Sequence, residues 1–222
     1  MIPLRDTQPS RTTPFVTFAV IAVNAAIFFY ELSLDQYSRN YLFEVWGLVP
    51  ARYHFTAILT SMFLHGGWLH IIGNMWFLWI FGDNIEDILG HWQYLAFYFL
   101  CGIAAGLAYV WLTPDSRIPT IGASGAIAGV MGAYLVKFPR ARILTLVFFF
   151  FVFFVDIPAA FLLIYWFFLQ LLSWVGSIGY STVREQGGVA FVAHVGGFIA
   201  GILLIYIFPT RRPYGRRRDL YW

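Results

Sequence analysis

The sequence predicts an all-α polytopic membrane protein with six transmembrane helices and a membrane-associated first loop. Its composition comes first. Of 222 residues, 60% are apolar and 11% are charged, where soluble domains hold about 45–50% and about 25%. The apolar residues also gather into runs near the length of about 20 that spans a bilayer. Finally, Lys and Arg concentrate on one side of the membrane that those runs define. A mean hydropathy of +0.71 points the same way. No polar stretch is long enough for a second domain.

The elements follow in order. Residues 1–14 form a cytoplasmic N-terminus carrying Arg5 and Arg11. The first apolar run, Phe15 to Leu32, is entered through Thr13-Pro14. No small-x-small cleavage site follows it, so it is read as a retained helix and not a signal peptide. The loop from Ser33 to Thr56 holds Tyr37, Tyr41, Trp46 and Tyr53, residues that concentrate at membrane interfaces. The second span covers Leu69 to Phe81, starting a few residues earlier, and Asp83 to Asp87 form an inner loop. The third covers Trp92 to Leu112, the fourth Ala123 to Val136, and the fifth Pro158 to Val175. The sixth covers Gly188 to Phe208 and ends at Pro209. Residues 15–208 thus make one six-helix domain, and 209–222 a basic cytoplasmic tail.

Ile143 to Val155 is an apolar run of only 13 residues, a seventh span or else an interfacial or re-entrant segment. The charges favour six spans. The inner segments then carry Arg5, Arg11, Lys137, Arg140, Arg142, Arg211, Arg212, Arg216, Arg217 and Arg218, and the outer ones Arg39, Arg52, Arg117 and Arg184. A seventh span would put the tail arginines outside, against the positive-inside rule. The same distribution explains a pI near 9.1 without nucleic acid as a partner. The lone Cys101 excludes an internal disulfide and a zinc-ligand spacing. No metal and no cofactor are expected.

Polar groups at membrane depth are costly and mark function. They lie in three places: His65, His70 and Asn74 on the second span, Gly122-Ala123-Ser124-Gly125 opening the fourth, and Ala193-His194-Val195-Gly196-Gly197 on the sixth. At about 1.5 Å per residue, Ser124 lies roughly 20 Å along its helix from Lys137. By the same rise His70 lies about 20 Å from Asp83, and His194 about 25 Å from Arg211. All three therefore share one level, in the outer half of the bilayer.

Facing agrees with depth. His70 and Asn74 are four apart on one helix face. Gly197 and Gly201 form a small-xxx-small motif that lets helices approach closely. Gly125 and Gly129 offer the matching small surface. Packing there brings the Ser124 hydroxyl within reach of the His194 ring. An imidazole beside a serine takes the hydroxyl proton and activates the nucleophile. The Ser124 N–H at a helix N-terminus, with Asn74 and His70, supplies donors for an oxyanion. No acid lies near His194 in the sequence pattern, so the prediction is a Ser–His dyad and not a triad. His65 reads as a structural partner of the outer loop.

These motifs, His70-x-x-x-Asn74, Gly122-x-Ser124-Gly125 and Ala193-His194-x-x-Gly197, occur in an order that resembles the rhomboid intramembrane serine proteases in their compact six-helix prokaryotic form. The resemblance runs from about Phe15 to Phe208. It implies Ser124 as nucleophile and His194 as general base. It implies an oxyanion hole of His70, Asn74 and the Ser124 amide, joined by that of Ala123. It implies a water-filled cavity open to the outside and gated by the fifth helix. The substrates would be single-span transmembrane proteins held in the bilayer and cut after a small residue. It places the chain in a prokaryotic cell membrane with both termini cytoplasmic. In two places the sequence departs from the family. Thr56-Ala57 stands where many members have Trp-Arg. Ala128 stands where an aromatic often packs on the histidine, which leaves Trp166 or Phe167 of the fifth helix to orient it. A catalytically silent client-binding relative and a transporter are the competing readings. The first would be expected to lack Ser124 or His194, and the second to carry an inverted repeat.

Overall fold

A computed structural model describes residues 1–149, 151–178 and 191–211. The chain is mostly helical. In order run β1 (Ile2–Asp6), α1 (Phe15–Ser33), α2 (Gln36–Trp46), α3 (Phe55–Thr60), α4 (Trp68–Leu89), α5 (His91–Leu112), α6 (Ser124–Lys137), β2 (Arg142–Phe149), β3 (Phe151–Pro158), α7 (Ala159–Ile178) and α8 (Phe191–Ile207). Among the described residues α1, α5 and α7 are long and apolar enough to cross a membrane. A fourth candidate is the pair Phe55–Phe63 and Trp68–Leu89, bent by 92°. The apolar helices α6 and α8 are shorter. Residues 188–190, expected to open the last span, lie outside the described residues, as does the tail from 212 onward.

Two expectations are corrected. The fold is not purely α: the run from Ile143 to Val155, read as an interfacial or re-entrant segment in preference to a seventh span, lies in two strands. β2 and β3 pair antiparallel as a hairpin, Ile143 opposite Ile157, and β1 adds to β2 with Ile2 opposite Leu146. A run of Phe and Val favours a pleated strand, and β1 satisfies one edge of the hairpin. Ile143 and Thr145 turn inward and are buried. β1 is fastened to α4 by the Trp76 indole N–H, which donates to the Pro3 carbonyl at 2.6 Å. The second correction concerns Asp83 to Asp87, which continue α4 instead of forming a loop.

Those acids have a reason to be helical. α1 begins after Pro14 with no side-chain cap of its own, so its first N–H groups need outside acceptors. Glu86 supplies them, accepting from Val16 N–H at 2.9 Å, Thr17 N–H at 2.8 Å and Thr17 Oγ1 at 2.7 Å. Asp87 accepts from Thr12 N–H at 3.0 Å. A negative charge there also suits the positive end of the α1 dipole. At the same end Asp6 accepts from Asn84 Nδ2 at 3.0 Å and from the Tyr134 hydroxyl.

The first loop is largely helical. α2 is capped by Asp35, which accepts from Tyr37 N–H and Ser38 N–H, and none of its residues is buried. The centre of the bundle is α6, which packs on α4, α5, α7 and α8. Its residues from Ala126 to Tyr134 are all buried. With no hydrophobic driving force between helices in lipid, close packing must hold them, and glycine makes it close. A Cβ on Gly197 would lie 2.0 Å from the Gly125 carbonyl oxygen, and one on Gly201 1.9 Å from that of Gly129. On the other face of α6, a Cβ on Gly125 would meet Ala105 at 2.6 Å, and one on Gly129 would meet Cys101 at 2.4 Å.

Candidate active site

The close α6–α8 seam sets the central geometry. Ser124 is the first residue of α6, and His194 lies in the first turn of α8. The Ser124 Oγ is 2.7 Å from the His194 Nε2. The His194 side chain is only slightly exposed. Both border a cavity of about 680 Å³ that His70, Asn74 and Trp166 also line. The three sequence motifs therefore converge on one space.

The loop before α6 is built for close approach. Gly122 has φ +120°, a conformation that L side chains rarely adopt. A Cβ there would also stand 2.6 Å from His70 Nε2. The Gly122 N–H donates to the Ser61 carbonyl at 2.8 Å, which ties the turn to the segment after α3. Because α6 starts here, the amides of Ala123 and Ser124 have no intrahelical acceptor.

The facing donors come from the start of α4. The Glu31 carboxylate accepts from the His65 N–H at 3.1 Å and so fixes the segment leading into that helix. The Gly66 N–H approaches His70 Nδ1 at 3.4 Å. A neutral imidazole has one donor and one acceptor nitrogen. With Nδ1 accepting, the His70 proton sits on Nε2, the nitrogen nearest Gly122. Asn74 Nδ2 is buried without a hydrogen-bond partner among the described residues. An unpaired buried amide is costly, and it is understandable as a donor awaiting an acceptor. His65 stacks edge-on against His70 with ring centroids 5.1 Å apart.

α7 supplies what Ala128 lacks. The Trp166 ring lies 5.9 Å from that of His194, and Phe167 stacks on Phe198 at 4.8 Å. One turn beyond Trp166, the Gln170 Oε1 stands 2.8 Å from His194 Nδ1. Sequence reasoning missed Gln170. The signal was an amide four residues after Trp166 in a strongly apolar helix. Among the described residues no group of three His, Cys, Asp or Glu stands close enough to hold a metal ion.

Residues 52–211 match the model of the Rhomboid domain. The chain is 28% identical over 194 residues to Rhomboid protein 1, mitochondrial, of Saccharomyces cerevisiae, covering 85% of this chain and 51% of that protein. It is 37% identical over 90 residues to the Presenilin-associated rhomboid-like protein, mitochondrial, of Homo sapiens, covering 40% of this chain and 24% of that protein. It is 32% identical over 115 residues to Rhomboid-like protein 11, chloroplastic, of Arabidopsis thaliana, covering 48% of this chain and 40% of that protein. The chain thus spans about half the length of the yeast relative, and less of the other two. The relatives' names overturn the expectation of a prokaryotic cell membrane and point to an organelle membrane instead.

Proposed function

The chain belongs to the rhomboid family, and on that premise we propose that it is an intramembrane serine endopeptidase cutting transmembrane segments of membrane proteins. The observation that carries this reading is the 2.7 Å contact between Ser124 Oγ and His194 Nε2. In this reading α6 and α8 complete six spans. Their shortness leaves the outer end of α6 below the membrane surface, where the cavity wets it. A cavity of about 680 Å³ exceeds many times the roughly 30 Å³ that a water occupies in bulk. It has room for water beside an extended stretch of substrate.

The chemistry then runs as acyl transfer. Ser124 Oγ attacks the scissile carbonyl carbon while its proton passes to His194 Nε2. The carbonyl oxygen becomes an oxyanion that accepts from the His70 Nε2–H, the Asn74 amide and the free N–H groups of Ser124 and Ala123. Preorganised donors of this kind are worth about 10²–10³-fold in rate each. The tetrahedral intermediate collapses, and His194 returns its proton to the leaving nitrogen. A water, deprotonated by the same ring, then hydrolyses the ester. The substrates are read as single-span proteins whose helix unwinds at the cavity.

Reaction with a fluorophosphonate probe tests the reading. Wild type is expected to be labelled, and Ser124→Ala and His194→Ala to show no labelling above background. An unlabelled wild type, or an equally labelled Ser124→Ala, would leave a client-binding relative as the better account.

A further inference from the structure

We infer that Gln170 is the positioning residue for His194: it fixes the tautomer of the base and makes that tautomer depend on the seating of α7. The inference rests on the Ser124–His194 reading and goes beyond it.

The ring of His194 is engaged at both nitrogens, by Ser124 Oγ at 2.7 Å and by Gln170 Oε1 at 2.8 Å. These partners are not equivalent. A hydroxyl rotates and either donates or accepts, so Ser124 cannot choose the tautomer. The amide oxygen of Gln170 only accepts. Nδ1 must therefore carry the proton, and Nε2 is left with the lone pair that takes the serine proton. With the opposite tautomer, Nε2–H would point at Ser124 Oγ and the pair would be inert. In a Ser–His–Asp triad a carboxylate holds this position. Here a neutral amide does, and among the described residues no acid bonds to the ring.

The contact also crosses between helices. Gln170 lies 24 residues before His194, on α7, while the histidine belongs to α8. Trp166, four residues earlier and so on the same face of α7, lies against both His194 and Phe198. The outward face is bare: Phe161, Ile164, Tyr165, Phe168 and Leu172 are exposed. Only 17% of the α7 span is buried against the protein, compared with 44% of α5. A helix held by one narrow stripe thus carries the group that sets the base. Lifting α7 from α8 breaks the Nδ1 contact and leaves both tautomers open.

The test uses the full chain in nanodiscs with ¹⁵N-labelled histidine, His194 being assigned by loss of its signals in His194→Gln. Wild type is expected to show a protonated Nδ1 and a bare Nε2. Gln170→Met keeps the shape and removes the acceptor. Its kcat is expected to fall at least tenfold with KM within twofold, and its proton to redistribute toward Nε2. Gln170→Glu offers a carboxyl oxygen in either protonation state, and should restore the Nδ1 proton and bring kcat within threefold of wild type. A wild-type proton on Nε2, or a Gln170→Met enzyme with unchanged kcat and tautomer, overturns the role. Should Gln170→Met fail to fold, the wild-type tautomer and the Gln170→Glu rates decide. Failure of the protease reading looks different: wild type then neither labels nor cleaves, whatever the tautomer.

Discussion

The helices that meet at His194 are held in opposite ways. α8 is pressed into α6 until glycine carbonyls leave no room for a Cβ. α7 touches α8 through Trp166, Phe167 and Gln170 and turns an apolar face outward. The nucleophile and the base therefore sit on the rigid seam, while the group that orients the base sits on the loosely attached helix. Precision of about 0.5 Å in a catalytic pair needs rigid support. Access for a substrate needs an element that can move. The division of labour between α8 and α7 meets both needs, and identical substitutions in the two helices expose it.

The largest effect is expected from Gly197→Ala. Its new methyl would stand 2.0 Å from the Gly125 carbonyl oxygen and 3.3 Å from the Ala105 Cβ. Backbone cannot step aside as a side chain can, so α6 and α8 must separate. Overpacking costs about 1–3 kcal/mol or more. Thermal melting should fall by at least about 5 °C, and fluorophosphonate labelling of Ser124 should slow at least tenfold. An enzyme melting and reacting like wild type would break the claim that the seam is rigid.

A smaller effect concerns how α6 is clamped at its far end. Tyr134 of α6 donates to Asp6, whose pKa burial pushes up to about 7, partly opposed by that hydrogen bond. An acid whose pKa rises on folding binds its proton more tightly in the folded state. Stability is then highest below the unfolded value of 3.8 and declines as pH climbs toward 7. Asp6→Asn keeps an oxygen to accept from Tyr134 and removes the titration. Its melting temperature should match wild type near pH 4 and exceed it by at least about 2 °C at pH 8. Equal melting curves at both pH values would show that this end of α6 is not electrostatically loaded.

The sequence carried the seam far better than the outer helix. Small residues at fixed spacing and costly polar groups at a common depth mark Ser124, His194, His70 and Asn74, because period and membrane cost are local properties of the chain. The α7 contact was only half legible. Set against the family resemblance, Ala128 marked a missing aromatic and pointed to Trp166 or Phe167, but an amide in a span has no fixed partner until helix rotation is known. The hairpin was hidden for another reason. Ile143 to Val155 has no helical period, and its pairing with Ile2–Asp6 joins segments about 140 residues apart, which no local pattern encodes. Asp83 to Asp87 misled in the same manner, since polarity suggested a loop while their acceptors were needed by another helix.

The smallest effect belongs to α7. Among the described residues a Cβ on Gly176 would meet no atom within 4 Å, so Gly176→Ala adds the same methyl as Gly197→Ala, but with no described neighbour to meet it. Alanine is favoured over glycine in a helix interior by roughly 0.5–1 kcal/mol. That gain shrinks near a helix end, and lipid tails offer the new methyl no hydrophobic return, being as apolar as the side chain itself. The melting temperature should stay within about 2 °C of wild type and the labelling rate within twofold. A loss comparable to that of Gly197→Ala would mean that this part of α7 packs against something, and that the outer helix is no freer than the seam it helps to orient.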